Sequence, residues 1–271
     1  MSHSLFLIGS KARGDHHALS DTDYVCIYDD KKPLLELPVE ASVSYYSVPK
    51  LKWMIDNSKL FIKHIKDDGR AVILSGKHEA LISSFSINPK ILMNDLARFI
   101  ARAENMRWVP KSNVGLRWGC DYLYFLARNI VFISNAIRGE FTFSYRDGVE
   151  VYLRSIGRES LLESFMSLRS EKYLYRLKSA SLCTVDVRSL DLINSALCAN
   201  PVDISFGGLS EFGYEQIDYF QLRLIERAII NLELEDNGFL SMLSNHGDYF
   251  FGLRRIAKEH IVKFKVNLAA A

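Results

Sequence analysis

Leu7-Ile8-Gly9-Ser10-Lys11-Ala12-Arg13-Gly14-Asp15-His16-His17-Ala18-Leu19-Ser20-Asp21-Thr22-Asp23-Tyr24-Val25 is the stretch on which the fold turns. The apolar run Ser4–Ile8 ending in Gly9-Ser10 reads as a buried strand entering a turn. A short helix beginning there presents backbone N–H groups that can hold phosphate oxygens. Glycine lets backbone approach a triphosphate closely, and the Ser10 hydroxyl adds a donor. Asp21 and Asp23 stand two apart at the start of the next strand, Tyr24–Tyr28, so both carboxylates project from one face. Two carboxylates side by side are costly without a cation between them. Hard oxygen ligands of this kind suit magnesium or manganese bridging phosphates.

Outward from that stretch, Glu40–Tyr46 is rich in Val and Tyr and reads as a third strand. Lys50–Asn57 and Lys59–Asp68 show helical spacing, with Gly69 as a C-cap, and Ala71–Leu74 adds a fourth strand. From about Pro89 the pattern becomes helical: Ile91–Glu104, Ser112–Arg138, Tyr145–Ile156, Glu159–Leu168, Tyr214–Glu233 and Tyr249–Phe264. The second of these is apolar nearly all round, which predicts a buried central helix. Pro201–Tyr214, with Gly207-Gly208 and Gly213, reads as a loop able to cover a site. The expectation is an α+β protein, with a mixed sheet and flanking helices in residues 1–88 and an all-helical domain in 89–267. Residues 268–271 read as a tag scar.

Composition bounds the rest. At 271 residues the chain suggests roughly two domains of ~150 residues each. With 48% hydrophobic and 24% charged residues it is neither disordered nor fibrous. Thirty-four basic against 32 acidic residues is too even for nucleic-acid binding by bulk charge, although a local basic cleft stays open. The four cysteines (Cys26, Cys120, Cys183 and Cys198) form no CxxC pair, which argues against a disulfide framework or structural zinc. Leu5–Ile8 is too short for a signal-peptide core, and Arg128 and Asn129 interrupt the most apolar stretch, Tyr122–Ile137. A soluble cytoplasmic protein is expected.

Gly9-Ser10, then Ala12-Arg13-Gly14, then Ser20-Asp21-x-Asp23 resembles the active-site motif of the DNA polymerase β nucleotidyltransferase superfamily. Eight defined residues at ~5–7% abundance would coincide on the order of 10⁻¹⁰ per start site. The resemblance implies a magnesium- or manganese-dependent transfer of a nucleoside monophosphate from a nucleoside triphosphate to an acceptor hydroxyl, with release of pyrophosphate. It implies Asp21 and Asp23 as metal-binding catalytic acids, with Gly9 and Ser10 on the β- and γ-phosphates. Lys11 and Arg13 become candidate phosphate contacts, with a solvated first helical turn the favoured reading for Lys11, and Ser20 caps or orients the Asp-x-Asp turn. The family's third acid sits on a later strand. Here Glu40 is the match, one methylene longer than the usual Asp, with Glu36 as the fallback. The acceptor is open: nucleotide or oligonucleotide, protein hydroxyl, RNA or small molecule. A bacterial anti-phage or toxin role is favoured over the alternative of an aminoglycoside-type adenylyltransferase. A non-catalytic nucleotide sensor is the rival class, since it tolerates loss of the third acid.

Other residues carry plainer readings. His16 and His17 read as surface residues. Lys50, Lys52, Lys59, Lys63, Lys66, Arg70 and Lys77 face only Asp56, Asp67 and Asp68 locally. The favoured reading is two solvated amphipathic helices, and the alternative is a cationic wall for nucleic acid or triphosphate. Trp108 and Trp118, flanking Lys111 and Arg117, read as core before base-stacking platforms. Asp121 is a weak candidate for an acceptor-side acid.

Overall fold

The computed structural model describes residues 3–16, 22–38, 41–177, 179–200, 203–210, 218–233, 255, 256 and 259. In chain order the elements are β1 (His3–Ile8), α1 (Gly9–Arg13), β2 (Thr22–Tyr28), β3 (Ala41–Ser47), α2 (Val48–Asp56), α3 (Leu60–Asp68), β4 (Arg70–Ile73), α4 (Gly76–Ser83) and α5 (Pro89–Glu104). There follow β5 (Trp108–Val109), α6 (Asn113–Ile137), α7 (Tyr145–Ser155), a 3-10 turn (Glu159–Leu161), α8 (Leu162–Arg176), α9 (Val187–Leu197), β6 (Ser205–Phe206) and α10 (Tyr219–Ile230). By contacts the chain divides into two compact units, Met1–Arg98 with Asn129–Ile156, and Phe99–Arg128 with Gly157–Ala271. Contacts therefore group the chain discontinuously, whereas the expected division at residue 88 is contiguous.

In the first unit four strands form a mixed sheet in the order β3-β2-β1-β4. β1 runs antiparallel to β2 and β4, and β2 runs parallel to β3. A parallel pair needs a crossover of about a dozen residues, and the 29–40 segment has that length. The pleat sorts the side chains. Residues directly opposed across strands share a face, so the register Phe6↔Val25 and Ile8↔Asp23 continues through Val25↔Ser44 and Asp23↔Ser42. That face packs on α2, α3 and α4, in a core of Phe6, Ile8, Val25, Ile27, Leu51, Met54, Ile62, Ile65, Ile82 and Phe85.

Local chemistry explains the helix ends. The Ser47 hydroxyl accepts the Lys50 N–H at the start of α2, with Pro49 in the first turn. Gly69 does follow α3, but its backbone is extended rather than left-handed. Glycine is needed there because a Cβ would lie 2.4 Å from the Ile65 carbonyl oxygen. Two helices have no counterpart in the pattern reading, α4 and α9. In α9 the signal was present: the Asp186 carboxylate accepts the Ser189 N–H, and Leu190, Ile193 and Leu197 fall on one buried stripe.

The second unit is not all-helical. β5 and β6 pair in parallel, Trp108 with Ser205 and Val109 with Phe206, so the expected Pro201–Tyr214 loop contains a strand. The expected buried helix is α6, in which Trp118, Cys120, Leu123, Leu126, Ala127 and Val131 are fully enclosed. The 214–217 start expected for the next helix lies outside the described residues, as does nearly all of Tyr249–Phe264; α10 begins at Tyr219, with the Asp218 carboxylate accepting the Gln221 N–H. Among the described residues no helix is long and apolar enough to cross a membrane.

Candidate functional site

Gly9 closes β1 and opens α1 at φ +77°, the left-handed region that favours glycine. The antiparallel register sets Ile8 opposite Asp23, which brings the Asp23 carboxylate against the turn. A Cβ built on Gly9 would lie 3.7 Å from Asp23 Oδ2. The other carboxylate oxygen, Oδ1, accepts a hydrogen bond from the Ser42 hydroxyl at 2.5 Å. Asp23 thus sits at the polar end of the sheet's core face, in line with Val25 and Ile27, between a glycine turn and a serine on the neighbouring strand. Ser42 was not among the expected site residues. Its signal was the strand pairing, since β3 alternates Ser42, Ser44 and Tyr46 on the face that Asp23 shares.

Ser10 is the second residue of α1, and Ile8, at the N-cap position, supplies no capping side chain. Lys11 donates a hydrogen bond to the Thr22 hydroxyl, so its ammonium stands beside the start of β2. Arg13 is held by acids on both sides, Asp68 at the end of α3 and Asp15, each about 3.3 Å away. Ser20, Asp21, His17 and Glu40 lie outside the described residues. Glu36 is exposed on the irregular 32–38 segment, and His16 is exposed. Among the described residues no group of three or more His, Cys, Asp and Glu gathers around one point. Of the expected metal-binding acids the described residues include Asp23 alone, whose Oδ2, a hard oxygen donor of the kind divalent cations take, lies where a Gly9 side chain would begin.

The remaining candidates are occupied elsewhere. Lys59 pairs with Asp95 at 2.7 Å, Lys63 with Asp67 at 2.5 Å, and Lys77 with Asp29, while Lys66 donates to the Ser83 carbonyl. Lys50 lies 3.7 Å over the Trp53 ring. Lys63 finds its acid on its own helix, whereas Lys59 and Lys77 reach acids on other elements of the fold. Trp108 and Trp118 are buried, Trp118 stacks on Tyr122, and the Arg227 guanidinium covers Trp108 at 3.9 Å. Asp121 is 4% exposed and bonded to Arg176 at 2.6 Å and Arg223 at 2.7 Å. Burial pushes its carboxyl up, but Arg176 and Arg223 outweigh that and hold it below the usual carboxylate range.

A serine–histidine–aspartate line also exists in the first unit. The Ser4 hydroxyl lies 3.0 Å from His78 Nδ1, and His78 Nε2 lies 3.2 Å from Asp29 Oδ1. Ser4 and His78 are both wholly buried, and the Ser4 hydroxyl also accepts the Ser75 N–H. A nucleophile must reach its substrate, so this line is a satisfied buried network tying β1 to α4. The Lys77 hydrogen bond is the main influence lowering the Asp29 carboxyl.

No family model matches the chain, and no curated protein sequence matches it.

Proposed function

We propose that the chain is a metal-dependent nucleotidyltransferase, moving a nucleoside monophosphate from a triphosphate to an acceptor hydroxyl and releasing pyrophosphate. The observation that carries this reading is the place of Asp23 beside Gly9: the register sets Ile8 opposite Asp23, and a Cβ on the left-handed Gly9 would lie 3.7 Å from the carboxylate fourteen positions on, in the order of the motif.

In this reading the backbone N–H groups and hydroxyl of Gly9-Ser10 hold the β- and γ-phosphates, and the missing Cβ lets the triphosphate approach. Asp21, Asp23 and Glu40 would hold magnesium or manganese. When bound, such ions neutralise triphosphate charge and lower the pKa of an acceptor hydroxyl. Ser42 fixes one oxygen of Asp23, so the other stays directed at the turn. Lys11, placed beside Thr22, adds a positive charge near the same strand start. The acceptor hydroxyl then attacks the α-phosphorus in line with the departing pyrophosphate. Substrate class beyond a triphosphate, and a role in anti-phage defence or as a toxin, rest on the motif resemblance alone.

The test is pyrophosphate release from each nucleoside triphosphate with magnesium or manganese, with and without cell extract as acceptor source. Asp23→Ala is expected to lower release by about 10³-fold or more while leaving the melting temperature of the unliganded protein nearly unchanged. An oligonucleotide ladder, a mass gain on protein or a modified aminoglycoside names the acceptor. No release under any of these conditions, with triphosphate binding retained, overturns the transferase reading in favour of a nucleotide sensor.

A further inference from the structure

Cys120 on α6 and Cys183, on the irregular 179–186 segment between α8 and α9, bring their sulfurs to 4.0 Å. Their surroundings hold that encounter in place. Asn113, Arg117 and Cys120 follow one another at helical spacing along a single face of α6. Asn113 Oδ1 accepts the Cys183 N–H, and its Nδ2 donates to the Ser181 carbonyl. Arg117 donates to the Ser179 carbonyl and to the Ser181 hydroxyl. Glu171, from α8, accepts both the N–H and the hydroxyl of Thr184 and pairs with Arg117 at 2.9 Å. The segment carrying Cys183 is thus pinned on both sides of the sulfur, by the buried Arg117 and Glu171 and the half-buried Asn113.

The two thiols differ in the way a sequential reaction needs. Cys183 is half-buried, whereas Cys120 is fully enclosed. The hydrogen bond from Cys120 holds the Cys183 thiol below its ordinary range, and the same contact together with burial pushes Cys120 well above it. The other two cysteines lack these features. Cys26 is enclosed in β2, and burial pushes the Cys198 thiol up to about 12.

We propose that Cys120 and Cys183 are a dithiol site that closes to a disulfide by exchange with a low-molecular-weight disulfide of the glutathione type, fastening the 179–186 segment to α6. The Cys183 thiolate attacks one sulfur of glutathione disulfide, whose S–S bond breaks, and the first glutathione leaves as a thiolate that takes up a proton. Cys120 then gives up its proton and attacks the Cys183 sulfur, expelling the second glutathione. Two protein thiols are oxidised, and one external disulfide is reduced to two thiols. Closure needs the sulfurs to move from 4.0 Å to about 2.05 Å. Rotation of the Cys183 side chain about its Cα–Cβ bond can make that move, with the pinned backbone and the helix carrying Cys120 left in place. The proposal is independent of the nucleotidyltransferase reading, since every residue it uses lies in the second unit.

The full chain, purified reduced, is incubated in native buffer with glutathione disulfide, quenched in acid, and analysed by intact mass and peptide mapping. The wild type is expected to lose two hydrogens and yield a Cys120–Cys183 cross-linked peptide. Cys120→Ser is expected to stop with one glutathionyl group on Cys183, and Cys183→Ser to leave Cys120 unmodified. The oxidised wild type should also melt several degrees above the reduced form, a difference absent from either variant. The wild-type peptide map decides the matter even where a variant folds poorly. A bridge that maps to other cysteines, glutathionyl adducts without a bridge, or a bridge formed only in denaturant overturns the proposal.

Discussion

Gly9→Ala separates a functional turn from a structural one, because the cost to the fold can be worked out in advance. At φ +77° an L side chain pays ~1–2 kcal/mol against the left-handed region. The new methyl would sit 3.7 Å from Asp23 Oδ2, ordinary van der Waals contact, so no steric penalty is added. For a chain of this size ~1–2 kcal/mol lowers the melting temperature by roughly 2–8 °C. The methyl does, however, cover the face of Asp23 that the turn leaves clear. A triphosphate with a divalent cation at ~100 times its Kd stabilises the wild type by ~2.7 kcal/mol, a rise of roughly 5–11 °C. If the methyl weakens joint binding ~100-fold, the same concentrations stabilise by only ~0.4 kcal/mol, roughly 1–2 °C.

The control is Gly139→Ala. Gly139 also has a left-handed backbone, at φ +82°, in an exposed turn with nothing within 4 Å of its missing Cβ. It should lose similar stability and keep the whole ligand response. Melting curves of both variants, with cation alone, triphosphate alone and the two together, give the answer. Equal joint responses in Gly9→Ala and Gly139→Ala would refute the assignment of Gly9 to a phosphate site.

Three further outcomes are expected. Ser42→Ala frees one oxygen of Asp23 without removing the carboxylate, so turnover should fall while triphosphate KM changes little, and Ser42→Thr should restore part of the loss; steady-state pyrophosphate release measures the split. Glu171→Ala leaves the Arg117 guanidinium, 3% exposed, without its carboxylate and strips two hydrogen bonds from Thr184, a destabilisation of ~3–5 kcal/mol by urea unfolding. The Asp121 carboxyl is held below its unfolded value of ~3.9, so its contribution to stability is full above about pH 4 and is lost as pH falls through the lower folded value; Asp121→Asn should flatten that acid limb in unfolding free energies measured from pH 2 to 7, and lower stability at neutral pH by depriving Arg176 and Arg223 of their charged partner.

What the sequence discloses here is what lies close along it. The first two strands of the sheet contain short apolar runs, Leu5–Ile8 and Tyr24–Tyr28, bounded by turn residues, and the Gly-Ser turn and Asp23 are fourteen positions apart on antiparallel neighbours, so their meeting follows from a single hairpin-like register. Ser42 meets Asp23 only because β2 and β3 pair in parallel across a crossover, and nothing within a few residues of Ser42 announces that partner. The same reasoning accounts for β6. Ser205-Phe206 is a two-residue strand among glycines, created by pairing with Trp108-Val109 about a hundred residues earlier, and no local period can signal it.

Charge shows the limit most clearly. Lys63 and Asp67 are four apart on one helix, and their pairing can be read directly from the spacing. Lys59 finds Asp95 thirty-six positions on, and Lys77 finds Asp29 forty-eight positions back. Counted locally, both lysines belong to an unbalanced basic run; in the fold, both are neutralised. Trp118, expected in the core and found there, shows the same limit. Its neighbour Arg117 suggests a platform that grips phosphate, yet that guanidinium turns to Glu171 in α8, and the indole stacks on Tyr122 one helical turn along. A cation next to an aromatic ring in sequence therefore says little about a nucleic-acid surface until the distant acids are placed. The placement of Asp23 beside Gly9 stands apart because backbone conformation and strand register specify it, and neither depends on where distant side chains find their partners.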